Sequence, residues 1–443
     1  MENTKILFIS LGCDKNLVDT EQMLGMLVQK GYTITDDENE ADVVVVNTCC
    51  FINDAKQESI NTLLEMAQLR ENGSIKALIA TGCLSQRYQD EIQKEIPQVD
   101  AVVGTTAIDA IVDVLDEVLK GQKQNHIEDI NRLPLFDKKR VVTTGGHYAY
   151  LKIAEGCNKH CSYCIIPKVR GKYRSIPMEN LLEEARNLVA LGAKELIVVA
   201  QETTLYGIDL YGKKALPELL HRLCEIDGLF WVRILYCYPE EITQELIETI
   251  RTEKKVCHHL DIHIQHASDR ILKRMGRHTT KQELVSIISK LRELVPDICL
   301  RTTVITGFPG ETPEEHEELL AFVDEMEFDR LGAFIYSAEE GTPAALFADQ
   351  IDEKIQCERQ AQIMELQQEI AFEKAENSIG SELLVMVEGF LPDEHVYVAR
   401  SYKDSPTVDG LVFIQTDREL LTGDFVHVKI TGSYEYDLIG ELS

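Results

Sequence analysis

Short β-branched runs alternate with stretches of helical spacing along the first quarter of the chain. Lys5–Ser10, Asp42–Asn47, Ala77–Thr81 and Val99–Gly104 are apolar runs of strand length, as expected of strands covered on both faces. Between them, Asp19–Lys30 and Asp54–Arg70 repeat apolar positions at helical intervals. This alternation predicts an N-terminal Rossmann-like unit, a parallel sheet between helices. The polar stretch Gly121–Lys139 reads as a linker.

A second series follows, with apolar runs at Tyr150–Ala154, Glu195–Ala200, Trp231–Tyr236, Leu260–Ile264, Leu300–Ile305 and Leu331–Tyr336. Helical patterns such as Met178–Leu191, Glu241–Thr252, Thr280–Val295 and Pro313–Met326 separate them. Six successive βα units predict a curved parallel sheet, a partial (βα)6 barrel of the TIM type; periodicity leaves a flat doubly wound sheet open. A helical stretch at Glu353–Ala375 closes the unit. Beyond it, Glu382–Val387, Val396–Ser401, Gly410–Ile414, Phe425–Thr431 and Leu438–Gly440 are short strand candidates separated by turn formers such as Pro392-Asp393 and Thr422-Gly423-Asp424. They predict a small antiparallel β-barrel, OB-like in size. The α/β chain thus divides into residues 1–120, a linker at 121–142, a core at 143–375 and a tail at 376–443.

Composition fits that division. The 443 residues suit about three domains, and 44% apolar side chains suffice for several cores. The N-terminus carries neither a basic segment nor a long apolar one, and no run of about 18 apolar residues occurs, so a soluble cytoplasmic protein with no membrane partner is expected. A net charge of −30 opposes non-specific attraction to nucleic-acid phosphates and favours a basic partner, while also suiting a plain solvated surface.

The twelve cysteines are the more telling residues, because in such a chain they are reduced thiols or metal ligands sooner than disulfides. Cys157, Cys161 and Cys164 form C-x3-C-x2-C just past the first strand of the six-unit series. That is where parallel α/β folds put their chemistry. Thiolates are the usual ligands of iron–sulfur clusters, and three for four irons leave one iron open. A zinc site would need a fourth ligand, for which His160 is the one local candidate. The triplet with Tyr163 before its last cysteine resembles the radical S-adenosylmethionine superfamily. The resemblance implies that S-adenosylmethionine chelates the open iron and is cleaved to a 5′-deoxyadenosyl radical. It also places Tyr163 near the adenine, although a plug over the cluster is an equal role for that ring. Gly307 and Gly310, in Thr306-Gly307-Phe308-Pro309-Gly310, are candidates for close backbone approach to the cofactor; a tight strand–helix turn explains them as well.

Cys13, Cys49 and Cys83 each follow one of the first three N-terminal strands. If those strands are parallel, the three thiols emerge at one edge of the sheet, an arrangement suited to metal; three small residues in turns is the plainer account. With both trios and the β-rich tail, the chain resembles the methylthiotransferase family of radical S-adenosylmethionine enzymes over nearly its whole length. That family joins an N-terminal cluster domain, a radical core and a TRAM barrel. The resemblance implies two 4Fe–4S clusters, S-adenosylmethionine as radical source and methyl donor, an external electron donor, and sulfur delivered from the N-terminal cluster.

Two branches of the family differ in substrate, one acting on isopentenyladenosine in tRNA and the other on an aspartate β-carbon of small-subunit ribosomal protein twelve. Leu11-Gly12-Cys13-Asp14-Lys15-Asn16-Leu17, Ala200-Gln201-Glu202-Thr203-Thr204 and Phe328-Asp329-Arg330 resemble the protein-modifying branch, apart from Asp14, where the family often has proline. From Glu376 onward thirteen acidic side chains face four basic ones, which suits a basic protein better than RNA. A non-catalytic iron–sulfur carrier is the remaining alternative. The alternation Lys168-x-Arg170-x-Lys172-x-Arg174 would put four cations on one side of an extended segment, either holding an acidic group or facing solvent. Cys224, Cys237, Cys257, Cys299 and Cys357 read as core or ordinary thiols, Cys50 as a bystander, and His258, His259, His263 and His266 as structural. Gln201 and Glu202 end a strand at the expected active face.

Overall fold

The computed structural model describes residues 4–134 and 140–443; residues 135–139 of the expected linker lie outside that set. Six parallel strands form the N-terminal sheet in the order Thr33–Thr35, Lys5–Ser10, Val43–Thr48, Ala77–Gly82, Ala101–Val103 and Gln124–His126. Successive side chains of a strand point to opposite faces. Val43, Val45 and Ile79 accordingly pack with Met23 and Leu27 of the helix Asp14–Lys30, while Val44, Val46 and Leu78 pack with Leu63 and Met66 of the helix Asn53–Glu71. Chain order reverses between Lys5–Ser10 and Val43–Thr48, which opens a crevice at their carboxyl ends.

Two details depart from the sequence pattern. The first helix begins at Asp14 rather than Asp19, because its first turns bury Lys15, Asn16 and Asp19, polar residues that break the apolar period. Gln124–His126 lies in the expected linker yet pairs with Ala101–Val103 as an edge strand; its polar sequence fits its half-exposed position.

The central strands are Tyr148–Lys152, Glu195–Val199, Trp231–Ile234, His259–Gln265, Cys299–Thr306 and Arg330–Ile335. All are parallel and follow chain order, in two three-stranded halves joined by bridges at Val232–Val256 and Cys237–Ile262. Sequential order without reversal is the open-barrel arrangement and not a doubly wound sheet. A continuous aliphatic core lies between strands and helices. Among the inner aromatic side chains Tyr148, Tyr150 and Trp231, Leu17 and Val18 enter from the N-terminal helix and Met386 and Phe425 from the C-terminal domain. The helix Glu353–Asn377 follows the last strand, and its Gln360 and Gln367 donate to the carbonyls of Ala333 (2.7 Å) and Phe328 (2.9 Å).

The C-terminal strands close a barrel in the order Glu382–Leu391, Val396–Ser401, Val412–Ile414, Asp437–Leu442 and Phe425–Tyr434. It is not wholly antiparallel: Val412–Ile414 and Asp437–Leu442 run the same way, since a single strand, Phe425–Tyr434, lies between them in the chain and runs antiparallel to the second. Buried ions fasten this barrel to the central one. Arg400 reaches Glu195 (2.5 Å) and Glu388 (2.9 Å), Glu195 also receives Arg233 (2.7 Å), and Arg301 reaches Asp409 (3.3 Å). Phe425 meets the edge of Trp231 at 4.8 Å. Among the described residues no helix is long and apolar enough to cross a membrane.

Candidate functional site

Parallel strands carry the first three cysteines to one edge of the N-terminal sheet. Cys13 caps the helix Asp14–Lys30, Cys49 follows Val43–Thr48, and Cys83 opens the short helix Cys83–Arg87; the first two flank the reversal of strand order. Gly12 has φ +85°, and a Cβ there would lie 2.6 Å from Cys49 Cβ and 2.8 Å from its Sγ. Only glycine permits that approach. Asn16 donates to the carbonyls of Leu11 (2.9 Å) and Thr48 (3.0 Å), tying the Cys13 loop to the Cys49 loop, and its Oδ1 lies 3.8 Å from Cys83 Sγ. Burial, reinforced by Cys83 and Cys13, pushes the Cys49 thiol up to about 12, so metal binding by this thiol would expel a proton. Cys50 points into the apolar layer beneath.

The second trio sits on a loop pinched at its neck. Ala154–Glu155 pairs with Arg174–Ser175, and a Cβ on Gly156 would lie 2.2 Å from the Lys172 carbonyl. The amide of Cys157 donates to Gly171 (3.1 Å), the amide of Lys159 to Cys157 Sγ (3.4 Å), and Tyr238 Oη lies 3.7 Å from Cys161 Sγ. Burial raises the Cys157 thiol to about 11 and the Cys164 thiol further, the latter reinforced by Cys161. His160 is exposed. Among the described residues no three His, Cys, Asp or Glu side chains form a group that could hold one metal ion; a cluster instead takes its thiolates on separate irons.

Unpartnered polar groups surround this second trio. Glu202 is wholly buried; one oxygen accepts from the Thr204 amide (3.0 Å) and the other has no partner. Burial pushes its carboxyl up to about 8. Arg277 lies 4.1 Å above the Tyr238 ring and donates to the His263 carbonyl (2.7 Å), leaving Nε and one terminal nitrogen unpaired. Buried groups without partners cost about 1–3 kcal/mol each, so they mark a place for a ligand. An unpaired carboxylate oxygen and unpaired guanidinium N–H groups beside free thiols fit the ammonium and carboxylate of S-adenosylmethionine at an iron–sulfur cluster. Tyr163 packs beside Phe308 and Met275. Gly307 and Gly310 lie in the left-handed region, where added Cβ atoms would strike Gln356 (2.4 Å) and Asp349 (2.2 Å), so protein neighbours already require both glycines.

The four alternating cations do not share a face. Ile166–Val169 is a turn of helix, which breaks the extended geometry: Lys168 and Lys172 are exposed while Arg170 is 1% exposed. Arg170 pairs with Asp19 (2.6 Å) and Glu155 (3.3 Å), and its Nε donates to Cys83 Sγ (3.4 Å). Lys152 binds the same two carboxylates. His258 and His263 pair with Asp297 and Asp261, and His259 and His266 are buried.

Three family models match: "Uncharacterized protein family UPF0004" over residues 5–104, "Radical SAM superfamily" over 151–323 and "TRAM domain" over 379–442. A protein of Lachnoclostridium phytofermentans named ribosomal protein uS12 methylthiotransferase RimO is 60% identical over 98% of this chain and 99% of its own length. Proteins of the same name from Thermoanaerobacter sp. (48% identical, all of both chains) and Clostridioides difficile (47%, 99% of this chain and 98% of that one) are similar throughout. The chain belongs to the RimO family. It is therefore a radical S-adenosylmethionine enzyme of the methylthiotransferase kind, using iron–sulfur and S-adenosylmethionine. The radical S-adenosylmethionine methyltransferase TsrM from Kitasatospora setae, bound to cobalamin and a 4Fe–4S cluster, shares the fold at a TM-score of 0.56 and 12% identity, over 78% of this chain and 74% of that one. In this RimO-family chain sequence reasoning singled out the six cysteines; it missed Asn16, Arg277 and Tyr238, whose importance lies in contacts with residues remote in sequence.

Proposed function

We propose that the enzyme adds a methylthio group to the β-carbon of an aspartate in ribosomal protein uS12. Cys157, Cys161 and Cys164 hold the radical-generating 4Fe–4S cluster, and Cys13, Cys49 and Cys83 hold a second. The observation carrying this proposal is the pair of separate thiol trios, one per domain, with the buried Arg170 of the central domain reaching Cys83 of the N-terminal one. When bound, the clusters and S-adenosylmethionine supply the electron, the carbon-centred radical, the methyl group and the sulfur.

The chain's own residues bind and orient. Glu202 offers its free oxygen to an ammonium, and Arg277 offers an open N–H to a carboxylate as a charge-assisted hydrogen bond. Tyr163 and the Gly307–Gly310 turn, joined through Phe308, form the apolar side for the nucleoside. Within the acidic C-terminal barrel the cation Arg400 is itself buried, which leaves a surface suited to a basic ribosomal protein and unsuited to tRNA phosphates. An external reductant completes the system.

The test is anaerobic incubation of the iron-loaded enzyme with S-adenosylmethionine, a reductant, and either small ribosomal subunits or tRNA, followed by mass spectrometry. A methylthio mass gain on one uS12 aspartate is the expected result; a gain on tRNA alone, or none, overturns the proposal. Cys157→Ala should abolish 5′-deoxyadenosine formation. Cys13→Ala should keep that cleavage and lose sulfur transfer, and equal loss of both in a folded variant refutes this division of roles.

A further inference from the structure

One short segment is bonded to a cysteine of each trio, to the main chain of one and to the sulfur of the other. Gly171 accepts the Cys157 amide at 3.1 Å, while the preceding residue, Arg170, extends out of the central domain to place Nε 3.4 Å from Cys83 Sγ. The same guanidinium donates to Asp19 (2.6 Å) and to Asn16, both on the helix that starts after Cys13. Asp19, Glu155, Lys152 and Arg170 are each no more than 3% exposed in their side chains. They form a charge-neutral set of two anions and two cations across the domain boundary. Lys152 answers the same carboxylates; among the described contacts of this set, Arg170 is the member that donates to a sulfur. Hydrogen bonds to ligand sulfurs and local net charge set the potential of an iron–sulfur cluster, and such bonds are strong in a buried setting.

We infer that Arg170 is a positioning residue for the N-terminal cluster: its N–H on Cys83 and its buried charge raise that cluster's reduction potential. Because Arg170 belongs to the radical domain, the potential takes its working value only when the two domains are docked. This rests on the proposal that Cys13, Cys49 and Cys83 hold a cluster.

The experiment uses full-length protein with Cys157, Cys161 and Cys164 all replaced by alanine, so that iron bound after anaerobic reconstitution belongs to the N-terminal trio. Absence of iron from that protein refutes the N-terminal cluster itself. With iron present, redox titration followed by electron paramagnetic resonance compares Arg170 with Arg170→Gln, Arg170→Lys and Lys152→Gln. Arg170→Gln should lower the midpoint by about a tenfold change in the reduced-to-oxidised ratio, about 59 mV for one electron. Arg170→Lys should fall between it and the parent, and Lys152→Gln, which removes an equal charge without touching sulfur, should shift the midpoint less than Arg170→Gln. An unchanged midpoint in Arg170→Gln, or shifts of equal size in Arg170→Gln and Lys152→Gln, overturns the inference. Should Arg170→Gln retain no iron, Arg170→Lys decides: it keeps a cation but loses the Nε–H aimed at Cys83, and a parental midpoint there overturns the inference.

Discussion

Replacing Arg400 with methionine should undock the C-terminal barrel from the central one. Arg400 is 1% exposed and donates to Glu195 at 2.5 Å, to Glu388 at 2.9 Å and to the Asp404 carbonyl at 3.0 Å. Removing one partner of a buried ion pair costs about 3–5 kcal/mol. Glu195 keeps Arg233 at 2.7 Å, so the lower end applies, about 3 kcal/mol, or roughly a hundredfold in the ratio of docked to undocked protein. The chain contains one tryptophan, Trp231, whose ring meets Phe425 of the small barrel at 4.8 Å. Its fluorescence therefore reports this interface. In urea, where unfolding free energies fall by about 1–3 kcal/mol per molar, the Trp231 transition of Arg400→Met should move down by about 1–3 M. A transition at the parental midpoint with the parental slope would show that the ion cluster does not hold the domains together.

Three other outcomes follow from the site. Gly12→Ala places a β-carbon 2.6 Å from Cys49 Cβ at a φ of +85°, a backbone strain of about 1–2 kcal/mol before the collision is counted; reconstituted protein should lose about half its iron by elemental analysis while still cleaving S-adenosylmethionine. Cys50→Ser should leave iron content unchanged, since the adjacent Cys49 is the one whose sulfur faces the Gly12 loop, and lost iron would place Cys50 among the ligands. Glu202 titrates near 8 when folded because of burial, against 4.5 ordinarily. Between those values the folded chain holds a proton that the unfolded chain has released, so stability falls as pH rises through the window, by about 1.4 kcal/mol per pH unit. Glu202→Gln should flatten that dependence in urea titrations of iron-free protein at pH 5.5 and 7.5, and a parental slope in the variant would refute it.

The positions of the cysteines could be read from the chain because strand–helix alternation fixes strand direction. Once Lys5–Ser10, Val43–Thr48 and Ala77–Gly82 are parallel, residues following them share an edge whatever lies between. Arg170 could not be read this way. Its partners Asp19 and Cys83 are 151 and 87 residues away, and the alternation around it looks like an extended segment until a single helical turn rotates it inward. The early start of the first helix was hidden for the same reason, its buried face being made of Lys15, Asn16 and Asp19 instead of aliphatic residues. The strand Gln124–His126 was hidden by its polarity, which an edge position tolerates.

A barrel that stops at six strands ends in a row of main-chain groups with no neighbouring strand, a surface on which foreign chains can add themselves and seed aggregates. Gln360 donates to Ala333 on that border and Gln367, two helical turns further on, to Phe328 just before it, so the helix covers the place of the missing partner. The open architecture leaves room for neighbouring domains to reach inside at the risk of polymerising through its own unfinished side, and leucine at both glutamines should convert freshly diluted protein into material that binds amyloid dyes.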